Sequence, residues 1–158
     1  MKEYTKETII AEVDEKDVEF IRLQFTDLMG NLKNVAITSS QLEKALDNKC
    51  MFDVSSIEGF AGLEEADLYL KPDLSTFEIF PWRPQQGRVA RMICDLYDGQ
   101  GNPVYGDPRH ILRKAVEKAA ELGYTFTAGP ECEFFLFNAD QDGLPTTETK
   151  EQAGFFDL

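Results

Sequence analysis

Residues 18–37, VEFIRLQFTDLMGNLKNVAI, hold two apolar-rich runs on either side of a cluster of turn formers. Val18, Phe20, Ile21, Leu23 and Phe25 make the first run and Leu32 to Ile37 the second, with Asp27-Leu28-Met29-Gly30-Asn31 between them. Near-alternation across a Gly- and Asn-bearing connection is the pattern of a β-hairpin. Working outward, Thr5 to Val13 places Ile9, Ile10 and Val13 on one side of a short helix. After the hairpin, Ser40-Gln41-Leu42-Glu43 has the S-x-x-E form of a capping box and predicts a helix running to about Asn48. Leu68 to Leu70, Thr76 to Phe80 and Arg88 to Leu96 read as three further strands, punctuated by Pro72, Pro81 and Gly87. Hairpin, packed helix and additional strands together define a small α+β sheet domain.

The second part reads differently. Asp98 to Asp107 contains three Gly and one Pro and predicts a linker. Asp107 then serves as an N-cap with Pro108 at the first helical position, where its missing N–H is no loss. Ile111, Leu112, Ala115, Val116, Ala119 and Ala120 form an apolar stripe that ends at Gly123. Tyr124 to Ala128 and Glu131 to Phe137 are expected as strands, with a turn at Asp140 to Gly143. The last residues, Phe155-Phe156-Asp157-Leu158, start an apolar element without a stop signal, so the sequence is expected to be a fragment. The organisation that follows is a helix in 1–15, a sheet domain in 16–98, a linker in 99–107 and the start of a second domain in 108–158.

With 42% hydrophobic residues and twelve Phe in 158 residues, a packed core is well supplied. The net charge of −13 repels phosphate backbones and anionic lipid, which argues against nucleic-acid and membrane partners. No apolar run approaches the roughly 20 residues that span a bilayer, and Met1 to Glu7 is too polar for a secretory signal. Cys50, Cys94 and Cys132 are odd in number and widely spaced, which fits reduced thiols in the cytoplasm. With one His and no CxxC, any metal would be a hard ion on oxygen ligands.

Glu131-Cys132-Glu133-Phe134-Phe135-Leu136-Phe137 carries the strongest local chemistry. In a strand, Glu131 and Glu133 share one face while Cys132 turns to the other as a small core residue. Adjacent carboxylates repel, and a divalent cation such as Mg²⁺ or Mn²⁺ relieves the repulsion. Two solvated acids on an edge strand remain the alternative. Phe52 to Phe60, followed by Glu64, Glu65 and Asp67, is a loop dense in acids and hydroxyls that could serve a site or simply face solvent. Gly101 to Gly106 has P-loop spacing, but Asp107-Pro108 stands where Lys-Ser/Thr is required, so no phosphate cradle forms. His110, beside Arg109 at the helix start, reads as a surface histidine.

Together these segments resemble the N-terminal third of a bacterial-type glutamine synthetase. Phe52 to Ile57 is similar to the family's F-D-G-S-S-I loop and Glu64 to Asp67 to its E-E-x-D segment. Pro72-Asp73, Arg91 to Asp95, Gly106-Asp107-Pro108-Arg109 and Gly129 to Phe137 follow in the family's order. The resemblance implies a β-grasp domain up to about Asp98, joined to the beginning of an α/β catalytic domain. It implies an enzyme that makes glutamine from L-glutamate, ammonia and ATP through γ-glutamyl phosphate. It also implies two Mg²⁺ or Mn²⁺ ions in a funnel between adjacent subunits of a dodecamer. Glu131 would hold the ion nearer the ATP phosphates and Glu133 the ion nearer glutamate. Asp53 matches the loop aspartate that a neighbouring subunit lends to the ammonium pocket, with Ser55 and Ser56 as substrate-loop candidates in the same motif.

Three positions depart from the family pattern. Cys132 replaces a Pro, Ala61-Gly62-Leu63 replaces an arginine-containing stretch, and Val54 replaces the Gly after the loop aspartate. A non-catalytic paralogue or interaction module, and a γ-glutamyl-amine ligase, are the competing readings. A family Gly at positive φ would be poorly replaced by a β-branched residue. On that premise, Val54→Gly in the longer protein raises the ammonia-dependent rate, and equal steady-state rates for the two forms remove the concern.

Overall fold

The computed structural model describes residues 3–55, 57, 67–82, 87–149 and 154. They fall into two compact units, divided between Thr125 and Phe126.

In the first unit, helix α1 (Lys6–Glu15) opens on Thr5, which forms a reciprocal capping box with Thr8. It buries Ile9 and Val13. Strands β1 (Val18–Thr26) and β2 (Leu32–Thr38) form the antiparallel hairpin expected from the alternation. The turn between them depends on Asp27, whose Oδ1 accepts from the Met29 and Asn31 N–H groups at 3.0 and 2.8 Å. Gly30 supplies the positive φ of 86° that closes the turn. The device recurs at Asp98, which accepts from Gln100 and Asn102 N–H before Gly101 at φ 83°. In the second unit Asp140 does the same with Asp142 and Leu144 around Gly143.

The expected capping box at Ser40 does not form. Residues Ser39–Gln41 make a 3₁₀ turn, and helix α2 (Leu42–Leu46) begins at Gln41 without a side-chain cap. Ser40 is inside that turn, where its hydroxyl meets Thr38 Oγ1 at 2.8 Å, so it cannot cap the helix that follows. Strand β3 (Cys50–Asp53) then pairs antiparallel with β4 (Asp67–Ile79). Thus Phe52 and Asp53, expected in a loop, end a strand. The two segments expected around Pro72 are one strand, β4. Among the described residues β3 pairs with β4 only as far as Leu70, so no strand partner faces Pro72 on that side and a missing N–H is tolerated. An irregularity between Asp73 and Glu78 keeps β4 in the sheet, with Thr76 Oγ1 accepting from Ile93 N–H at 2.8 Å.

Strand β5 (Arg88–Tyr97) is the centre of a five-stranded sheet ordered β2-β1-β5-β4-β3. It runs parallel to β1 and antiparallel to β4. Ile21, Leu23, Phe25, Leu68, Leu70, Ala90, Met92, Cys94 and Leu96 line one buried face. They share a core with Ile9 and Val13 of α1 and with Leu42, Ala45 and Leu46 of α2. Residues 98–107 are held back onto the sheet: Tyr97 bridges Pro103, and Val104 N–H donates to Leu96 C=O at 2.9 Å. Helix α3 (Pro108–Glu121) follows with Asp107 as N-cap and Gly123 at φ 82° beyond its end, as the sequence predicts.

In the second unit, β6 (Phe137–Ala139) and β7 (Pro145–Thr149) form a two-stranded hairpin around the Asp140–Gly143 turn. The strands expected over Tyr124 to Ala128 and Glu131 to Phe137 are absent except for Phe137 itself. A strand needs a ladder partner, and no described residue pairs with 124–136. Cys132 is correspondingly exposed and not in a core. Residues 155–158, read as an interrupted element, lie outside the described residues.

Asp107 is 1% exposed and receives two N–H donors, from Leu96 and Arg109, each at 3.0 Å. Asp107→Ala removes the cap and orphans the buried Leu96 N–H, so a loss of roughly 2–4 kcal/mol is expected. Urea unfolding of the 158-residue chain checks this, with Asp107→Asn falling between the two.

Candidate functional site

Asp53 ends β3 on the solvent side, where its partner across the ladder is Asp67. Its Oδ1 accepts from Ser55 N–H at 2.7 Å, closing an Asx turn. This bond and the Ser55 hydroxyl hold the Asp53 carboxyl below the usual aspartate range, against a smaller effect of burial. The group is therefore an exposed, ionised carboxylate in a fixed direction. Ser55 is exposed beside it, whereas Ser56, Glu58, Gly59, Phe60 and Ala61 to Ala66 lie outside the described residues.

Val54 follows Asp53 and is fully buried. Its backbone is not in the left-handed region, so the premise that this position needs a glycine does not hold here. The chain turns immediately after it, with Ile57 N–H donating to Val54 C=O at 2.9 Å.

Glu131 and Glu133 belong to the other unit, in the segment 124–136 that has neither helix nor strand. Both are exposed, as are Phe134 and Phe135 at 72% and 79%. The common face expected from strand geometry is thus absent, although the two carboxylates stay two residues apart. Among the described residues no group of three or more His, Cys, Asp or Glu is placed to hold a metal. Carboxylate oxygens suit Mg²⁺ or Mn²⁺ in kind, but two carboxylates fall short of the roughly six ligands such an ion takes.

A second set of charged groups was not apparent from the sequence. Asp95 lies between Cys94 and Leu96, both in the core, so its side chain faces the opposite side of the sheet. There Arg109 of α3 donates from Nε to Asp95 Oδ1 at 2.9 Å and from Nη2 to Asp73 Oδ2 at 2.7 Å. Arg113 adds a contact to Asp95 Oδ2 at 3.0 Å. Burial pushes the Asp73 carboxyl up, but Ser75 and Arg109 outweigh it and hold it below the usual range. The available signal was an acid within the apolar run of β5 and two Arg spaced i,i+4 on α3. A cavity of about 430 Å³ opens among Asn48, Tyr69, Lys71, Tyr97, Asp98, Gly99 and Gly101. None of the candidate residues lines it, so cavity and candidate chemistry do not coincide.

This mixed sheet with its packed helices is a β-grasp domain leading into a carboxylate-bearing second region. Residues 17–99 match the family described as the glutamine synthetase β-grasp domain, and residues 105–156 match the glutamine synthetase catalytic domain. A glutamine synthetase of Clostridium saccharobutylicum is 63% identical over all 158 residues, which cover 36% of its length. One of Staphylococcus aureus is 53% identical over 156 residues, covering 98% of this chain and 35% of the relative. Among solved structures, the Plasmodium falciparum glutamine synthetase superposes with a TM-score of 0.67 at 24% identity, over 78% of this chain and 24% of that one. The chain belongs to the glutamine synthetase family, and it spans about a third of the length of the curated relatives it matches.

With two exposed carboxylates and no third ligand placed beside them among the described residues, Mn²⁺ binding to this chain is expected to be weak, on the order of a millimolar. Water-proton relaxation during a Mn²⁺ titration measures it. Replacing Glu131 and Glu133 together by Gln is expected to abolish the part of the signal that exceeds nonspecific binding to the acidic surface.

Proposed function

We propose that this chain is the N-terminal part of a glutamate–ammonia ligase, a cytoplasmic enzyme that works as a dodecamer. What supports the reading is the match of the β-grasp and catalytic families in succession, with Asp53 inside the first matched range and Glu131 and Glu133 inside the second. Buried free thiols at Cys50 and Cys94 support a reducing compartment. Among the described residues no helix is long and apolar enough to cross a membrane.

In this reading the γ-carboxylate oxygen of L-glutamate attacks the γ-phosphorus of ATP. The bond to the bridging oxygen breaks, releasing ADP and leaving γ-glutamyl phosphate. Glu131 would hold a divalent cation beside the ATP phosphates and Glu133 a second beside glutamate, with further ligands supplied from outside this chain. Mg²⁺ or Mn²⁺, when bound, neutralises charge developing on the transferring phosphoryl group. Asp53, lent to a neighbouring subunit's site, binds ammonium by charge and takes one proton from it. The nitrogen lone pair then attacks the γ-carbonyl carbon, the carbon–oxygen bond to phosphate breaks, the second proton leaves nitrogen with the departing phosphate, and glutamine and phosphate are released. An ionised carboxylate held outward by its Asx turn suits that role.

The 158 residues alone are expected to form no glutamine, whereas a polypeptide extended to the relatives' length forms it from ATP, glutamate and ammonium. In that longer protein Asp53→Asn is expected to reduce ammonium-dependent kcat/KM by about 10²-fold, with ammonium-independent ADP release retained. An unchanged ammonium dependence would remove Asp53 from the mechanism. Preference for an organic amine over ammonium would favour a γ-glutamyl-amine ligase.

A further inference from the structure

We infer that Val54 is a positioning residue: its buried side chain anchors the end of β3 so that the Asp53 carboxylate points outward in one direction. The alternation along β3 supports this. Cys50 is buried, Met51 is 54% exposed, Phe52 packs on Phe25 with ring centroids 4.8 Å apart, and Asp53 is exposed. Val54 returns to the core at 0% exposure. Asp53 is thus held between two inward anchors, and the period-two geometry of the strand gives its side chain the outer face.

The turn that follows adds a second restraint. Ile57 packs against the same core and donates its N–H to Val54 C=O. Ser55 N–H is thereby aimed at Asp53 Oδ1, 2.7 Å away. Valine is stiff at χ1, and its seat in the core carries that stiffness to the neighbouring peptide units. Glycine here would remove the anchor and widen the range of backbone conformations. This inference runs opposite to the expectation drawn from the sequence: Val54 holds Asp53 in place, and Val54→Gly is expected to loosen it.

The positioning itself is tested on the 158-residue chain by NMR, independently of any activity. In Val54→Ala and Val54→Gly the Ser55 amide resonance is expected to shift, and its hydrogen exchange to speed up by at least about tenfold. It should also cease to follow the titration of Asp53, whose cross-strand neighbour is Asp67. Val54→Ile is expected to keep all three signatures. Val13→Ala, which trims another core valine on α1, serves as the control for a loss of general stability. An unmoved Ser55 amide in Val54→Ala, or an equal change in Val13→Ala, overturns the inference.

The consequence for catalysis rests on the reading of Asp53 proposed above. In the longer protein, Val54→Gly is expected to raise the ammonium KM by on the order of tenfold or more, with a smaller change in kcat and rescue by Ile. A shifted Ser55 amide with an unchanged ammonium KM supports the positioning and overturns the role assigned to Asp53. A normal amide with a raised KM overturns the positioning and leaves that role intact.

Discussion

One carboxylate ties the two ends of the family's domain boundary together. Asp107 is buried, with one oxygen on the N–H of Leu96 and the other on the N–H of Arg109. The first bond belongs to the end of the central strand and the second to the first turn of α3. Burial pushes this carboxyl above the usual aspartate range, ahead of the pull of those two N–H donors. Below its raised pKa a protonated Asp107 lies in the core at little electrostatic cost, and stability from this group is lost as pH rises through that value. The residue is retained for its geometry: a single side chain satisfies two donors that would otherwise be orphaned.

The orientation of α3 is then set by charge. Its apolar stripe is not covered in the first unit; Ile111, Leu112 and Val116 are each 44–59% exposed, and the helix buries no residue. Contact with the sheet is made instead by Arg109 across Asp73 and Asp95, and by Arg113 on Asp95. Asp95 has 11% of its side chain exposed and would be an uncompensated charge without these partners. Family matches assign α3 to the catalytic domain, yet in space it clusters with the β-grasp sheet. Arg109 and Arg113, together with the Asp107 cap, thus join this helix to β4 and β5.

Most of the first unit was legible because its signals are local. Alternation in 18–37, the Asp-Pro start of α3 and Gly123 after its end each depend on a few neighbouring residues, and each is found in the structure. Ser40 was misread because a capping box and a 3₁₀ turn use the same residues, and only the surrounding backbone decides between them. Pro72 was misread as a strand breaker because sequence does not say which edge of β4 has a neighbour. Residues 124–136 were misread for a related reason: apolar alternation records the capacity to pair, and pairing requires a partner strand. Of the candidate site, Asp53 was legible by motif alone, while its Asx turn and the burial of Val54 are set by the folded backbone and leave no mark in the sequence.

The two halves of the candidate chemistry rest on unequal support. Asp53 is held by a turn, a ladder and a buried neighbour, so its direction is a property of the first unit itself. Glu131 and Glu133 have no such scaffold; they sit on exposed backbone with neither helix nor strand. A cation site needs its ligands held against their mutual repulsion before the ion arrives, or else the ion must supply the ordering energy. For this pair the first condition is unmet among the described residues, which also contain no third ligand. The Asp53 carboxylate is thus preorganised within the first unit, whereas among the described residues the Glu131 and Glu133 pair has neither a strand nor a third ligand to hold it.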